Sequence, residues 1–254
     1  TVTSPEYAAM HAAWHKAVKV LPVYSILHKQ DWFIRESYRP ELEKDDLSFL
    51  DRSYERHFNE RPFLHHSVYL CLTKTTKQRM AQRSDFSTLC RGTLLPKEVR
   101  DREAVLKFLE AVDQFERIIN DSGCMRLRRL PADEIAGTDD KRGLLDRYLS
   151  LRDDAAGTLE DLRLGADEVR IGDQILCLHT LSDTDDLPAA VAMDGRYERL
   201  STDRSDCRLS FAAPVGLMLP CNHIYNQYLF IDDSEENLKR FEKQARNMLS
   251  LARF

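Results

Sequence analysis

The sequence predicts an α+β protein with two lobes, a helix/strand-alternating lobe over 1–152 and a hairpin-containing lobe over 153–254 that ends in a long helix. Three patterns carry that reading. Apolar residues recur at helical spacing in several separate stretches, and β-rich runs fall between them. After Leu151 this alternation gives way to short strand-like pieces around Gly-containing turns.

The first helix starts at Thr3, Ser4, Pro5 and Glu6, where a hydroxyl caps and the missing proline N–H costs nothing. Tyr7, Met10, Trp14, Val18 and Leu21 form its apolar stripe, and Pro22 stops it. Val23 to Ile34 reads as a strand, Leu47, Leu50, Tyr54 and Phe58 as the face of a second helix, and His66 to Leu72 as a second strand. A long helix follows, with Val105, Leu109, Val112, Phe115 and Ile119 on one face and Gly123 just beyond its end. Met125 to Leu130 reads as a short strand, and Ala132 to Leu151 as another helix.

Asp153, Asp154 and Gly157 mark a polar connection into the second lobe. There, Val169 to Ile171 and Gln174 to His179 flank Gly172 and Asp173, and glycine first in a two-residue loop supplies the positive φ of a hairpin turn. Cys207 to Ala212 and Ile224 to Ile231 read as strands. Asp233 caps the last helix, Glu236 completes a capping box, and Leu238, Phe241, Ala245, Met248 and Phe254 give it an apolar face. That helix reaches the last residue without a stop signal and the chain lacks an initiator Met, two signs of a piece of a longer protein.

Hydrophobic residues at 43% and charged residues at 31% fit a packed globular chain rather than a disordered one. The net charge of −5 argues against a dedicated nucleic-acid binder, although it leaves room for a local basic patch. The longest apolar run, Leu209 to Cys221, is broken by Pro214 and Pro220 and falls short of the ~20 residues of a membrane span. Thr1 to Pro5 has neither the charged nor the apolar region of a signal peptide. Cys71, Cys90, Cys124, Cys177, Cys207 and Cys221 are scattered and read as buried thiols of a reducing compartment.

No catalytic, cofactor-binding or metal-ligating residue is assigned. The chain has no G-x-x-x-x-G-K-[ST], hence no backbone cradle for phosphates, and Asp133 with Glu134 reads as the acidic start of a helix. Cys177 with His179 and Cys221 with His223 are two Cys-x-His pairs that adjacent strands could combine into a zinc site. Buried cysteines beside hydrogen-bonded histidines are the ordinary outcome, as packing is for Cys90. The densest polar stretch holds Arg196, Arg199, Arg204 and Arg208 among acids, either a self-paired loop or a grip for phosphates or carboxylates. Phe211, Leu217 and Met218 lie in the Pro-broken apolar run, which reads as a docking surface or as a buried edge strand and loop.

Residues 54–62, 72–76, 89–93, 115–123, 197–211 and 221–228 resemble the N-terminal region of TraG proteins, and the resemblance runs essentially end to end. These are conjugation ATPases of Bacteroides-type conjugative transposons, related to the large ATPase of type IV secretion systems. The family's Walker motifs lie in a C-terminal RecA-like domain, and no position here matches them. The resemblance therefore implies a non-catalytic docking and assembly module at the cytoplasmic face of the bacterial inner membrane. Its implied partners are other channel proteins, with self-association in the full-length protein. The alternatives are a DNA-contacting module using the Arg196–Arg208 stretch and a free-standing small-molecule enzyme built on the Cys/His pairs.

Overall fold

A computed structural model of the chain describes residues 3–36, 48–59, 61, 63–77, 101–139, 141–151, 161–172, 174–180, 195–198, 201–206, 208–209 and 219–251. These form an α+β fold. Its elements are α1 (Ser4–Lys19), β1 (Ser25–Glu36), α2 (Phe49–Asn59), β2 (Phe63–Lys74), α3 (Arg102–Asp121), α4 (Ala132–Ala136) and α5 (Leu144–Ser150). Then come β3 (Leu162–Leu164), β4 (Val169–Ile171), β5 (Gln174–Leu176), β6 (Gly195–Arg196), β7 (Arg208–Leu209), β8 (His223–Ile231) and α6 (Ser234–Leu251). The strands make three sheets, in the orders β2-β1-β8, β3-β4-β5 and β6-β7.

The chain divides into two units assembled from separated stretches. One takes residues 3–30, 68–128 and 226–254, the other 1–2, 31–67 and 129–225. This is not the division at residue 152 that the change of pattern suggests. β8, from beyond that point, lies beside β1, from well before it, and the chain passes between units within β1, β2 and β8. A shift in local pattern marks where short elements begin and carries no information on which strands pair at long range.

In the first of these units, α1 and α3 cover the Leu27 segment of β1. Ala17, Leu21, Leu27, Phe115 and Ile119 are buried together, with Trp14, Leu70, Leu72, Met125, Leu127 and Ile231 packed around them. Trp14 meets Phe115 edge-on at 6.0 Å and 75°, the arrangement the ring quadrupoles favour. At Thr3 and Gly123 the helix ends follow the sequence cues, and Asp101 adds a cap beyond those cues. The Thr3 backbone N–H and hydroxyl both donate to the Glu6 carboxylate at 2.8 Å, which holds that carboxyl below its ordinary range. Asp101 accepts from the Glu103 N–H at 3.1 Å, and Gly123, at φ +69°, follows the end of α3.

Residues 125–130 are not a strand. Met125 and Leu127 pack on the core from an irregular segment. The Asn120 amide holds it there, donating to the Leu127 carbonyl (3.2 Å) and accepting from the Leu127 N–H (2.7 Å). One side chain thus takes the place of a strand partner.

Where β1 passes from one unit to the other, its buried positions change phase. Ser25 and Leu27 are buried in the first half, Gln30, Trp32 and Ile34 in the second, with Asp31 beside them. Trp32 is 2% exposed, with the Tyr148 ring at 5.9 Å and the Arg147 guanidinium at 5.8 Å, both from α5. The helix expected over 132–151 is two helices. Gly137 adopts φ +88° and ends α4. A Cβ on Gly143 would lie 2.3 Å from the Gly137 nitrogen, so the two backbones touch. The β4–β5 hairpin forms as expected, with Ile171 opposite Gln174 and Gly172 at φ +59°. β3, which pairs with β4, has no sequence cue of its own.

The expectation of buried thiols does not hold: Cys71, Cys124, Cys177 and Cys221 are free and exposed, and Cys90 and Cys207 lie outside the described residues. Free but exposed thiols contribute nothing to the core, which branched and aromatic side chains fill instead. No helix among the described residues is long and apolar enough to cross a membrane.

The α4–α5 junction is testable. Gly143→Ala should lower stability by roughly 1–3 kcal/mol, because the added methyl meets backbone rather than a movable side chain. Urea denaturation reads it; an unchanged midpoint would show that the two glycines do not touch.

Candidate functional site

Among the described residues, α6 leaves an apolar face uncovered. Asp233 starts the helix by accepting from the backbone N–H groups of Glu235 (2.9 Å) and Glu236 (3.2 Å). The expected capping box does not close. The Glu236 carboxylate instead takes the Lys77 ammonium at 2.5 and 2.6 Å, because a full charge outcompetes a neutral N–H for it. The pair keeps Lys77 above the ordinary lysine range and ties the first turn of α6 to the end of β2.

Beyond that turn α6 has no buried residue. Leu238 (59% exposed), Phe241 (57%) and Met248 (71%) lie in one stripe with Ala245, and Leu249 and Leu251 are exposed near it. The intervals 238–241–245–248 are three, four and three residues, the seam along which one helix packs on another. Charged residues occupy other positions: Arg246 approaches Glu242 at 3.9 Å, and the Arg240 guanidinium lies 5.4 Å from the Phe241 ring. A second exposed apolar helix face is that of α2, where Phe49, Leu50 and Tyr54 are open to solvent.

The arginine stretch closes on itself. β6 and β7 pair antiparallel, setting Arg196 opposite Arg208. The Arg196 guanidinium reaches Glu198 at 3.4 Å and Asp206 at 3.5 Å, so its charge is paired within the stretch. The turn between them is fixed by backbone bonds from Thr202 to Ser205 (2.9 Å) and back (3.3 Å). Arg204 is exposed, and Arg199 lies outside the described residues, as do Phe211, Leu217 and Met218. The side chain of Arg208 is likewise outside them. Leu219, at the end of that apolar run, is exposed.

The two Cys-x-His pairs end in different settings. Cys177 and His179 are exposed. The His223 Nδ1–H donates to the Cys221 carbonyl at 2.8 Å, and Nε2 is out of solvent with no hydrogen-bond partner. Among the described residues no three His, Cys, Asp or Glu side chains are placed to share a metal. His223 instead joins a ring stack that spacing could not reveal. Phe33 on β1 lies between His66 on β2 (4.5 Å, 3°) and His223 on β8 (4.7 Å, 15°), and His66 Nε2 meets Asp31 at 2.9 Å. Three strands distant in sequence supply the three rings, so only their pairing brings them together.

No family model matches the chain, and no curated protein or solved structure matches it.

An apolar face that covers nothing among the described residues can be cut without loss of stability. Leu238→Asp and Met248→Asp should each leave the unfolding free energy within about 0.5 kcal/mol of the parent. A loss of roughly 2 kcal/mol or more in urea denaturation would mean that the face is already packed.

Proposed function

We propose that the chain is a non-catalytic assembly module of a conjugative-transfer ATPase, docking on other channel proteins at the cytoplasmic face of the bacterial inner membrane. The observation that carries the docking role is the exposed three-four stripe of α6. A seam of that spacing accepts the ridge of another α-helix, so the occupant is a helix of a channel protein. Covering Leu238, Phe241 and Met248 would stabilise such a contact by roughly 1.5–3 kcal/mol for each side chain fully buried. The resemblance to TraG N-terminal regions supports the choice of machine, and the missing phosphate-binding loop supports a role without hydrolysis. The ion pairs of Arg196 favour a protein partner over DNA, since they offset a charge that phosphates would need.

The test is a pull-down of this chain against the individually purified proteins of the same transfer system. One of them should be retained, and Leu238→Asp combined with Met248→Asp should cut its retention by about tenfold or more, the effect of losing a buried hot spot. Arg204→Gln should leave retention unchanged. Equal retention by the double variant would remove α6 from the interface.

A further inference from the structure

A cavity of about 580 Å³ opens among Tyr24, Leu72, Lys74, Lys77, Val105 and Phe108, with Thr73, Thr75, Thr76 and Ala104 completing its wall. Its volume lies within the range of small-molecule sites, roughly 300–1,000 Å³. The wall between β1 and β2 is built under strain. Tyr24 sits at φ +62°, a conformation disfavoured for a residue with a Cβ, which persists only where its surroundings impose it. Here they do: the Tyr24 N–H donates to the Ile231 carbonyl at 2.6 Å, and the Tyr24 carbonyl accepts from the Thr75 N–H at 2.9 Å. The aromatic wall is therefore set before any ligand arrives.

The two lysines of the cavity differ. Lys77 is taken by Glu236 at 2.5 and 2.6 Å. Among the described residues no carboxylate pairs with Lys74: its ammonium donates to the Val23 carbonyl and stands 5.7 Å from the centre of the Tyr24 ring. Partial burial lowers its pKa from the ordinary lysine value, so its charge is held where water compensates it poorly. One under-compensated cation beside Leu72, Val105 and Phe108 complements one negative charge on an apolar body.

We propose that this cavity binds a small amphipathic anion, an aromatic or short aliphatic body against Leu72, Val105 and Phe108 with a single carboxylate or sulfonate head on Lys74. The site is separate from the α6 face, and the two readings stand or fall independently.

A matched pair of probes tests it: 8-anilinonaphthalene-1-sulfonate, and N-phenyl-1-naphthylamine, which carries the same rings without the charge. Fluorescence titration of the chain should give saturable one-to-one binding of the anionic probe, about tenfold tighter than the neutral one, the worth of a charge-assisted hydrogen bond. Lys74→Gln keeps a donor for the Val23 carbonyl; it should bring the anionic probe down to the neutral level and leave the neutral one unchanged. Val105→Trp, with its fold checked by circular dichroism, should weaken both probes, and Leu238→Asp should affect neither. Equal affinity of the two probes, an anionic affinity indifferent to Lys74→Gln, or loss of binding in Leu238→Asp would each overturn the proposal.

Discussion

The packing of α1 and α3 over Leu27 is the contact on which the candidate surface depends. Ala17, Leu21, Phe115 and Ile119 close around Leu27 and leave it no water. Burying a side chain of that size stabilises by roughly 1.5–3 kcal/mol, and a cavity in its place would cost more. Ile231, the last residue of β8, packs on the same cluster and accepts the Tyr24 N–H. Two residues later Asp233 caps α6. The position from which α6 departs is thus fixed by a core to which α6 adds no buried residue.

That separation between anchor and surface suits an assembly module. The anchor is apolar and closed, whereas the helix it launches holds its place through a cap and the Lys77–Glu236 pair. Exposed ion pairs contribute little, on the order of 0–1 kcal/mol, so α6 is positioned more than it is stabilised. A partner that covered its stripe would supply what the described residues do not. The strained Tyr24 wall depends on the same Ile231 anchor, which is why a preformed cavity and an uncovered helix occur side by side in one unit.

The sequence announced what local rules control. Helical spacing located α1, α3 and α6; Gly172 located the hairpin; Asp233 and Gly123 marked helix ends. It misled where a distant contact overrode a local cue. Glu236 left the capping box for Lys77, whose position 159 residues away no window could supply. Gly137 and Gly143 broke one expected helix through a backbone approach that appears only once both ends are folded. The candidate site divides the same way. The α6 stripe is legible residue by residue, whereas the His66–Phe33–His223 stack and the Tyr24 cavity exist only through strand pairing. Of the arginine stretch, the pairing of Arg196 was legible as charge alternation, though not its partners.

On the proposed function, α6 is a docking face held ready by the rest of its unit. Amide hydrogen exchange of the chain, alone and with the transfer-system protein that it retains, tests this most directly. Protection should be gained over residues 234–251, with the α3 core unchanged. Protection confined to residues 196–208, or none over α6, would contradict it.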